Sequence, residues 1–206
     1  DLKEGAIVTR FAPSPTGFVH IGALLVSFIA QRFSKQTDGV FFLRIEDTDQ
    51  KRMVEGGIEN IVSVLHGFDI LPTEGYSFGG KYGSYQQSER AEIYQTYVKD
   101  LIKQGLAYPC FMTEEELNNI REEQEINKVR TGVYGIYAVD RDLSLEEIKE
   151  KLARGEEYVI RLKSPGDASK TIEVVDCIKG KMKFPEHDTD TVLLKKNGIP
   201  TYHFAH

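Results

Sequence analysis

Tryptophan is absent from this chain of 206 residues, and cysteine occurs only twice. Cys110 and Cys177 lie far apart and read as free thiols of a reducing compartment, so a disulfide framework is excluded and the cytoplasm is expected. Long hydrophobic runs are missing as well. The longest apolar patch, 24-LLVSFIA-30, is closed by Gln31 and Arg32 and is too short to span a bilayer. The start, DLKEGAIV, lacks a basic stretch followed by an apolar one, so no secretory signal is expected. Positive charge is not in excess either: 26 Lys and Arg against 32 Asp and Glu give a net charge of −6. That balance excludes a protein that coats nucleic acid by bulk charge, while leaving a local basic surface open. Two phosphate-binding patterns are also wanting. There is no G-x-x-x-x-G-K-[ST], and no G-x-G-x-x-G follows the first predicted strand, so P-loop ATPases and dinucleotide oxidoreductases lose their main support.

What is present has an order. Segment 6-AIVTRF-11 reads as a strand ended by Pro13 and Pro15. Leu24, Leu25, Phe28, Ile29 and Phe33 then recur at helical spacing, predicting one buried helix face. The run 40-VFFLRIE-46 suits a strand covered on both faces, and 53–68 reads as a second helix with Ile58, Ile61, Val62 and Leu65 inward. Strand, helix, strand, helix predicts half of a doubly wound α/β domain over the first 85 or so residues. A further helix is expected over 88–105 with Tyr94, Val98, Leu101 and Ile102 inward, and strands over 157–163, 171–176 and 191–196. This change of character suggests an α+β insertion. Its charge is uneven: 113-TEEELNNIREEQEI-126 is strongly acidic, whereas 179-KGKMKF-184 and 195-KK-196 are basic, as solvated faces often are.

Two polar constellations stand at carboxyl ends of predicted parallel strands, where ligands bind in open α/β sheets. In 10-RFAPSPTGFVHIG-22, Pro13, Pro15 and Gly17 set the turn, and a helix N-terminus offers unpaired N–H groups to a phosphate. His20 could donate to a phosphate oxygen as charge develops, Gly22 allows close approach, and Arg10 presents a fork suited to carboxylate or phosphate. A Pro-rich turn with an incidental histidine explains the same residues equally well. In 44-RIEDTDQKR-52, Glu46 shares a strand face with Arg44 and could hold an ammonium group, making with Arg10 a clamp for an amino acid. A surface ion-pair cluster or a Mg²⁺ site among the carboxylates are the competing readings.

The stretch RFAPSPTGFVHIG resembles the first signature of the class I aminoacyl-tRNA synthetases, in the form carried by glutamyl-tRNA synthetases. RIEDTD, 87-QSER-90, 104-QGLAY-108, 159-VIRLK-163 and 193-LLKKNGIPTYHFA-205 resemble further blocks of that family, in order. The resemblance implies a Rossmann-type (HUP-like) nucleotide-binding domain with a doubly wound parallel sheet, split by an inserted α+β domain that meets the tRNA acceptor arm. The boundaries expected are 1–87 for the first catalytic half, 88–190 for the insertion and 191–206 for the return. It implies ATP-dependent ligation of L-glutamate to tRNA(Glu) through a glutamyl-adenylate, ATP entering with Mg²⁺ as substrate, by a monomer. Carried over by position, Arg10, Ala12, Ser14, Glu46 and Tyr202 would hold glutamate. Pro13, Ser14, Thr16, Gly17, His20 and Gly22 would hold ATP, with His20 and Gly22 nearest the chemistry. Arg52 and Lys179 would meet the tRNA.

Three departures from the family qualify this. Many relatives carry a zinc site in the insertion, but Met112 and Asp140 stand where cysteines would accompany Cys110, so no structural zinc is expected. Ala23 replaces the final histidine of the signature, and His206 stands where a polar active-site residue is expected. The lysine-rich loop that grips pyrophosphate, a second arginine block and an anticodon-binding domain do not occur, so the chain is expected to be the N-terminal part of a protein more than twice as long. A synthetase that glutamylates a modified tRNA base shares the RFAPSPTG-type start, but RIEDTD and the long acidic insert favour the charging enzyme. Glutaminyl-tRNA synthetases resemble Pro-Pro-Glu-Pro-Asn-Gly where this chain has 12-APSPTG-17. The non-enzymatic alternative is an acceptor-arm binding module.

Overall fold

The computed structural model describes residues 2–206. They form two compact units, one running to Ile93 and including Ala205–His206, the other Tyr94–Phe204.

The first unit is built on a parallel three-stranded sheet: β1 (Val8–Phe11), β2 (Val40–Leu43) and β3 (Glu74–Gly75), in that order. Val8 lies opposite Val40 and Phe11 opposite Leu43, so the two long strands end level, and Arg10 and Arg44 both stand at the carboxyl end. Helices α1 (Ile21–Gln36) and α2 (Gly57–Gly67) supply the crossovers. Phe41, Leu43, Ile45, Ile61 and Leu65 are buried in one core with Phe11 and Ile70, as the spacing in 53–68 predicts; the run 40–46 is fully covered on one face only, since Val40 and Phe42 stay partly exposed. The β2 strand itself stops at Leu43. Ile45 continues the direction by an isolated parallel bridge to Gln86, which ties a distant segment to the same sheet end. The short β3 has no signal in the sequence: it is two residues long, and a Cβ on Gly75 would strike the Leu43 carbonyl oxygen at 2.3 Å.

Helix α1 corrects the expectation drawn from its apolar spacing. Leu24 packs on the core, but Leu25, Phe28, Ile29 and Phe33 are 57, 41, 45 and 52% exposed. The buried residues are Ser27, Gln31 and Ser34. Small side chains let the helix lie close to the sheet, and Thr9 Oγ1 reaches the Ala30 carbonyl at 2.7 Å. The two serines bond their own helix at Leu24 O and Gln31 O, and Gln31 Nε2 donates to Asp69 O, so the burial of these polar groups is compensated.

The second unit contains α3 (Ala91–Lys103, whose first three residues fall in the first unit), α4 (Glu114–Ile126) and α5 (Leu145–Ala153). Its antiparallel sheet has the order β4 (Ala107–Cys110), β5 (Val159–Leu162), β8 (Val192–Leu194). On α3, Tyr94 and Val98 are buried as the spacing predicts, while Ile102 turns outward. Helices α4 and α5 each begin with a complete capping box, Thr113 with Glu116 and Ser144 with Glu147. The acidic run from 113 is thus an exposed helix whose first carboxylates suit its N-terminal dipole. Strands β6 (Thr171–Asp176) and β7 (Gly180–Pro185) form a separate, exposed hairpin. Among the described residues, no helix is long and apolar enough to cross a membrane.

Candidate functional site

The turn after β1 is laced to the segment after β2 by backbone. Arg44 N donates to Phe11 O at 3.0 Å, Glu46 N to Pro13 O at 2.9 Å and Val54 N to Pro15 O at 2.9 Å. Asn60 Oδ1 of α2 accepts from Val19 N at 2.9 Å, which fixes the far end of the loop. A Pro-rich loop with few internal donors is thereby held from outside.

This loop presents Pro13, Ser14, Thr16, Gly17 and His20 around a cleft of ≈ 270 Å³, closed below by Phe11, Val19, Ala23 and Ile61. His20 is the N-cap of α1 and makes no side-chain cap bond, so its ring is exposed at the helix N-terminus. The first turn of α1 carries no acidic residue. The helix therefore has an uncompensated positive end at His20, which lines the cleft; Gly22 does not line it. A Cβ on Gly22 would meet the His20 ring at 3.2 Å from both Cε1 and Nδ1. Glycine at that position lets the imidazole lie back over the helix start.

Arg10 on β1 is half-buried, and Ala12 beside it is half-buried too. Among the described residues Arg10 meets no carboxylate. Its Nη2 stands 3.3 Å from His206 Nδ1 and 3.4 Å from His206 Nε2, a contact the sequence leaves open. Glu46 is 2% exposed and is joined to Arg44 by a bond of 2.8 Å from Nε to Oε1. Strand alternation predicts that shared face, and the salt bridge gives Glu46 a counter-charge at its buried position. Asp47, also buried, accepts from Ser88 N at 2.8 Å, Ser88 Oγ at 2.5 Å and Gln86 Nε2 at 2.7 Å. Its saturated oxygens suit a structural role better than a Mg²⁺ ligand. Sequence spacing gives no hint of this bond between segments about forty residues apart.

Of the remaining predicted residues, Arg52 belongs to the first unit and Lys179 and Tyr202 to the second. Arg52 is exposed and paired with Asp49 at 2.5 Å. Lys179 is exposed in the turn between β6 and β7, where Asp176 Oδ1 accepts its backbone N–H at 2.7 Å. Tyr202, in the second unit, is half exposed at the start of a final helical turn, Tyr202–Ala205.

The three residues weighed for zinc are engaged otherwise. Cys110 Sγ accepts from Arg161 Nε at 3.3 Å, and Asp140 Oδ2 accepts from Phe111 N at 2.7 Å. Met112 is packed with Tyr108, Val133 and Ala138. Burial pushes the Cys110 thiol above its ordinary pKa, against the thiolate that a metal needs. Among the described residues no three His, Cys, Asp or Glu side chains converge as a metal site.

Comparison with known proteins gives the family. Residues 6–206 match the family model of the class I tRNA synthetases (E and Q), catalytic domain. A glutamate–tRNA ligase of Clostridium beijerinckii is 54% identical over 209 residues, covering 100% of this chain and 38% of the relative. The glutamate–tRNA ligase of Acetivibrio thermocellus is 52% identical, with the same coverage of 100% and 38%. A solved glutamate tRNA ligase from Elizabethkingia meningosepticum, in complex with its amino acid, superposes with a TM-score of 0.83 at 39% identity, covering 97% of this chain and 40% of that one. The chain thus spans about two fifths of the length of these relatives. With its parallel sheet, its cleft at the strand ends and a match over nearly its whole length, the chain belongs to the class I tRNA synthetases of the glutamate and glutamine type, as part of their catalytic domain.

Proposed function

We propose that this chain is the N-terminal part of a glutamate–tRNA ligase. The observation that carries the reading is identity of 54% over the whole chain to a protein of that name. The geometry suits it. Arg10 offers its fork to the side-chain carboxylate of glutamate, and Glu46 offers a buried carboxylate to the ammonium group, with Ala12 and Ser14 beside the amino acid. Pro13, Ser14, Thr16, Gly17, His20 and Gly22 receive ATP, which enters with Mg²⁺.

The α-carboxylate of glutamate attacks the α-phosphorus, the bond to the β-phosphate breaks, and pyrophosphate leaves. A ribose hydroxyl at the tRNA terminus then takes the glutamyl group and AMP leaves. Neither step calls on a protein nucleophile; positioned reactants and donors placed where charge develops do the work. His20 and the α1 N-terminus are those donors here. Arg52 and Lys179 meet the tRNA, residues 88–190 act as the inserted acceptor-arm domain between 1–87 and 191–206, and the enzyme works as a cytoplasmic monomer.

The full-length protein, given ATP, glutamate and tRNA, is expected to produce tRNA esterified at its terminal ribose, measured as alkali-labile radiolabelled glutamate. Glutamate attached to a base, or tRNA binding with no response to ATP and glutamate, would replace the reading. The 206-residue chain alone is expected to charge at least roughly a thousandfold more slowly, because donors to pyrophosphate outside it are missing.

The chain is also proposed to hold no structural zinc: one thiol already bonded to Arg161, a thioether and a carboxylate bonded to Phe111 N make a poor tetrahedral set. Metal analysis of purified protein is expected to find far less than one zinc per chain. One equivalent that chelators remove only on unfolding would refute this.

A further inference from the structure

The segment 86-QQSER-90 takes no part in the function proposed above, yet it lies against both carboxylates of 44-RIED-47. We infer that Arg44 and Gln87 are positioning residues for Glu46: they hold one carboxylate oxygen and turn the other toward the amino group of the incoming amino acid. The inference rests on the glutamate reading and adds to it the machinery behind the ammonium contact.

The two neighbouring carboxylates are treated differently by the same segment. Asp47 receives three donors from Gln86 and Ser88, spread over both oxygens. Glu46 receives two, Arg44 Nε at 2.8 Å and Gln87 Nε2 at 3.3 Å, and both go to Oε1. Oε2 is buried and has no hydrogen-bond partner among the described residues. Nor, among these residues, does Arg44 Nη2, the arm that with Nε would close a side-on fork over both oxygens, have a partner. The carboxylate is therefore rotated out of the fork, although a donor for its second oxygen stands on the same guanidinium. A buried acceptor without a donor is costly, and a structural ion pair would be expected to close. An ammonium group brings three donors and a full charge to the open oxygen, and it is the group the clamp needs at that end.

The rotation is held firmly. Gln87 is fully buried, its N–H donates to Ile45 O at 3.0 Å, and Ile45 N donates to Tyr85 O at 2.9 Å. Glu46 itself is tied through its N–H to Pro13 O at 2.9 Å, so the site of the ammonium is referenced to the loop after β1. The block 87-QSER-90 thus carries the amide that sets the angle of Glu46.

The test uses full-length protein carrying Arg44→Gln or Gln87→Met, in ATP–pyrophosphate exchange with tRNA present. Each variant is expected to raise the KM for glutamate roughly tenfold, because a misaligned charge loses much of its binding contribution. The KM for ATP is expected to stay within about twofold. The decisive readout is inhibition by glutarate, which has both carboxylates of glutamate and no amino group. Its inhibition constant should be unchanged to within about twofold, since Glu46 has nothing to bind there. Arg44→Lys, which keeps a charged donor, should recover most of the loss. Gln87→Met keeps length and shape and carries the test if Arg44→Gln does not fold. Equal weakening of glutamate and glutarate would show a merely structural role and overturn the inference, as would an unchanged KM for glutamate. A wild-type protein without any glutamate-dependent exchange would instead remove the glutamate reading itself.

Discussion

Full-length protein carrying Arg10→Ala is expected to lose roughly 10²–10³-fold in kcat/KM for glutamate, while its KM for ATP changes little. The magnitude follows from removing one partner of a desolvated, hydrogen-bonded charge pair, which costs about 2–5 kcal/mol, much of it from the charge left behind. Arg10 is half-buried on β1, and its Nη2 stands 3.3 Å from the ring of His206. The guanidinium fork meets no carboxylate among the described residues and matches one in shape and charge. Arg10→Lys keeps the charge and loses the planar fork, and roughly a tenfold loss is expected. The informative comparison is with glutamine. Its amide is uncharged and gains far less from a guanidinium than a carboxylate does, so the ratio of kcat/KM for glutamate over glutamine should fall sharply in Arg10→Ala. Parallel loss for both amino acids would place Arg10 in the structure of the loop and not in the clamp.

Much of this corner is legible in the sequence because it is local. The turn, the helix start at His20 and the strand alternation that sets Glu46 beside Arg44 all follow from residues a few positions apart. Three things escape such reading. Which face of α1 is buried is decided by how near the sheet the helix must come. Ser27, Gln31 and Ser34 go inward and Leu25, Ile29 and Phe33 stay out, against apolar periodicity. The seat of Asp47 and Glu46 is made by residues 86–88, a pairing across the chain that no local pattern announces. The contact of Arg10 with His206 joins the two ends of the chain. Spacing finds what one strand or one helix does; partners between distant segments are visible only once the chain is folded.

Asp190 is the clearest such partner, and its replacement by alanine is expected to destabilise the second unit by about 3–5 kcal/mol, the cost of leaving a buried charge uncompensated. Its side chain is fully buried. Oδ2 accepts from Tyr108 Oη at 2.8 Å, and Oδ1 accepts from Ser164 N at 2.8 Å and from Arg141 Nη1. Its backbone carbonyl accepts from Arg161 Nη1 at 2.8 Å, and its N–H donates to Val133 O at 2.7 Å. One aspartate thus ties together β4, β5 and the loops at 133, 141 and 164. Burial and the Asp190 hydrogen bond push the Tyr108 hydroxyl well above the ordinary tyrosine pKa, so it donates throughout the physiological range. With alanine, Tyr108 Oη, Ser164 N and the partly buried Arg141 all lose their acceptor. Asparagine is expected to restore less than half, since its amide turns an N–H₂ toward donors. Cys110 reports the result: it is buried in this unit, whereas Cys177 is exposed and reacts at once. The rate at which Cys110 is alkylated under native conditions follows the opening of the unit. It should rise by two to three and a half decades in Asp190→Ala, at about 1.4 kcal/mol per decade. A change of less than about threefold, equivalent to well under 1 kcal/mol, would mean that Asp190 is not the hub of this network.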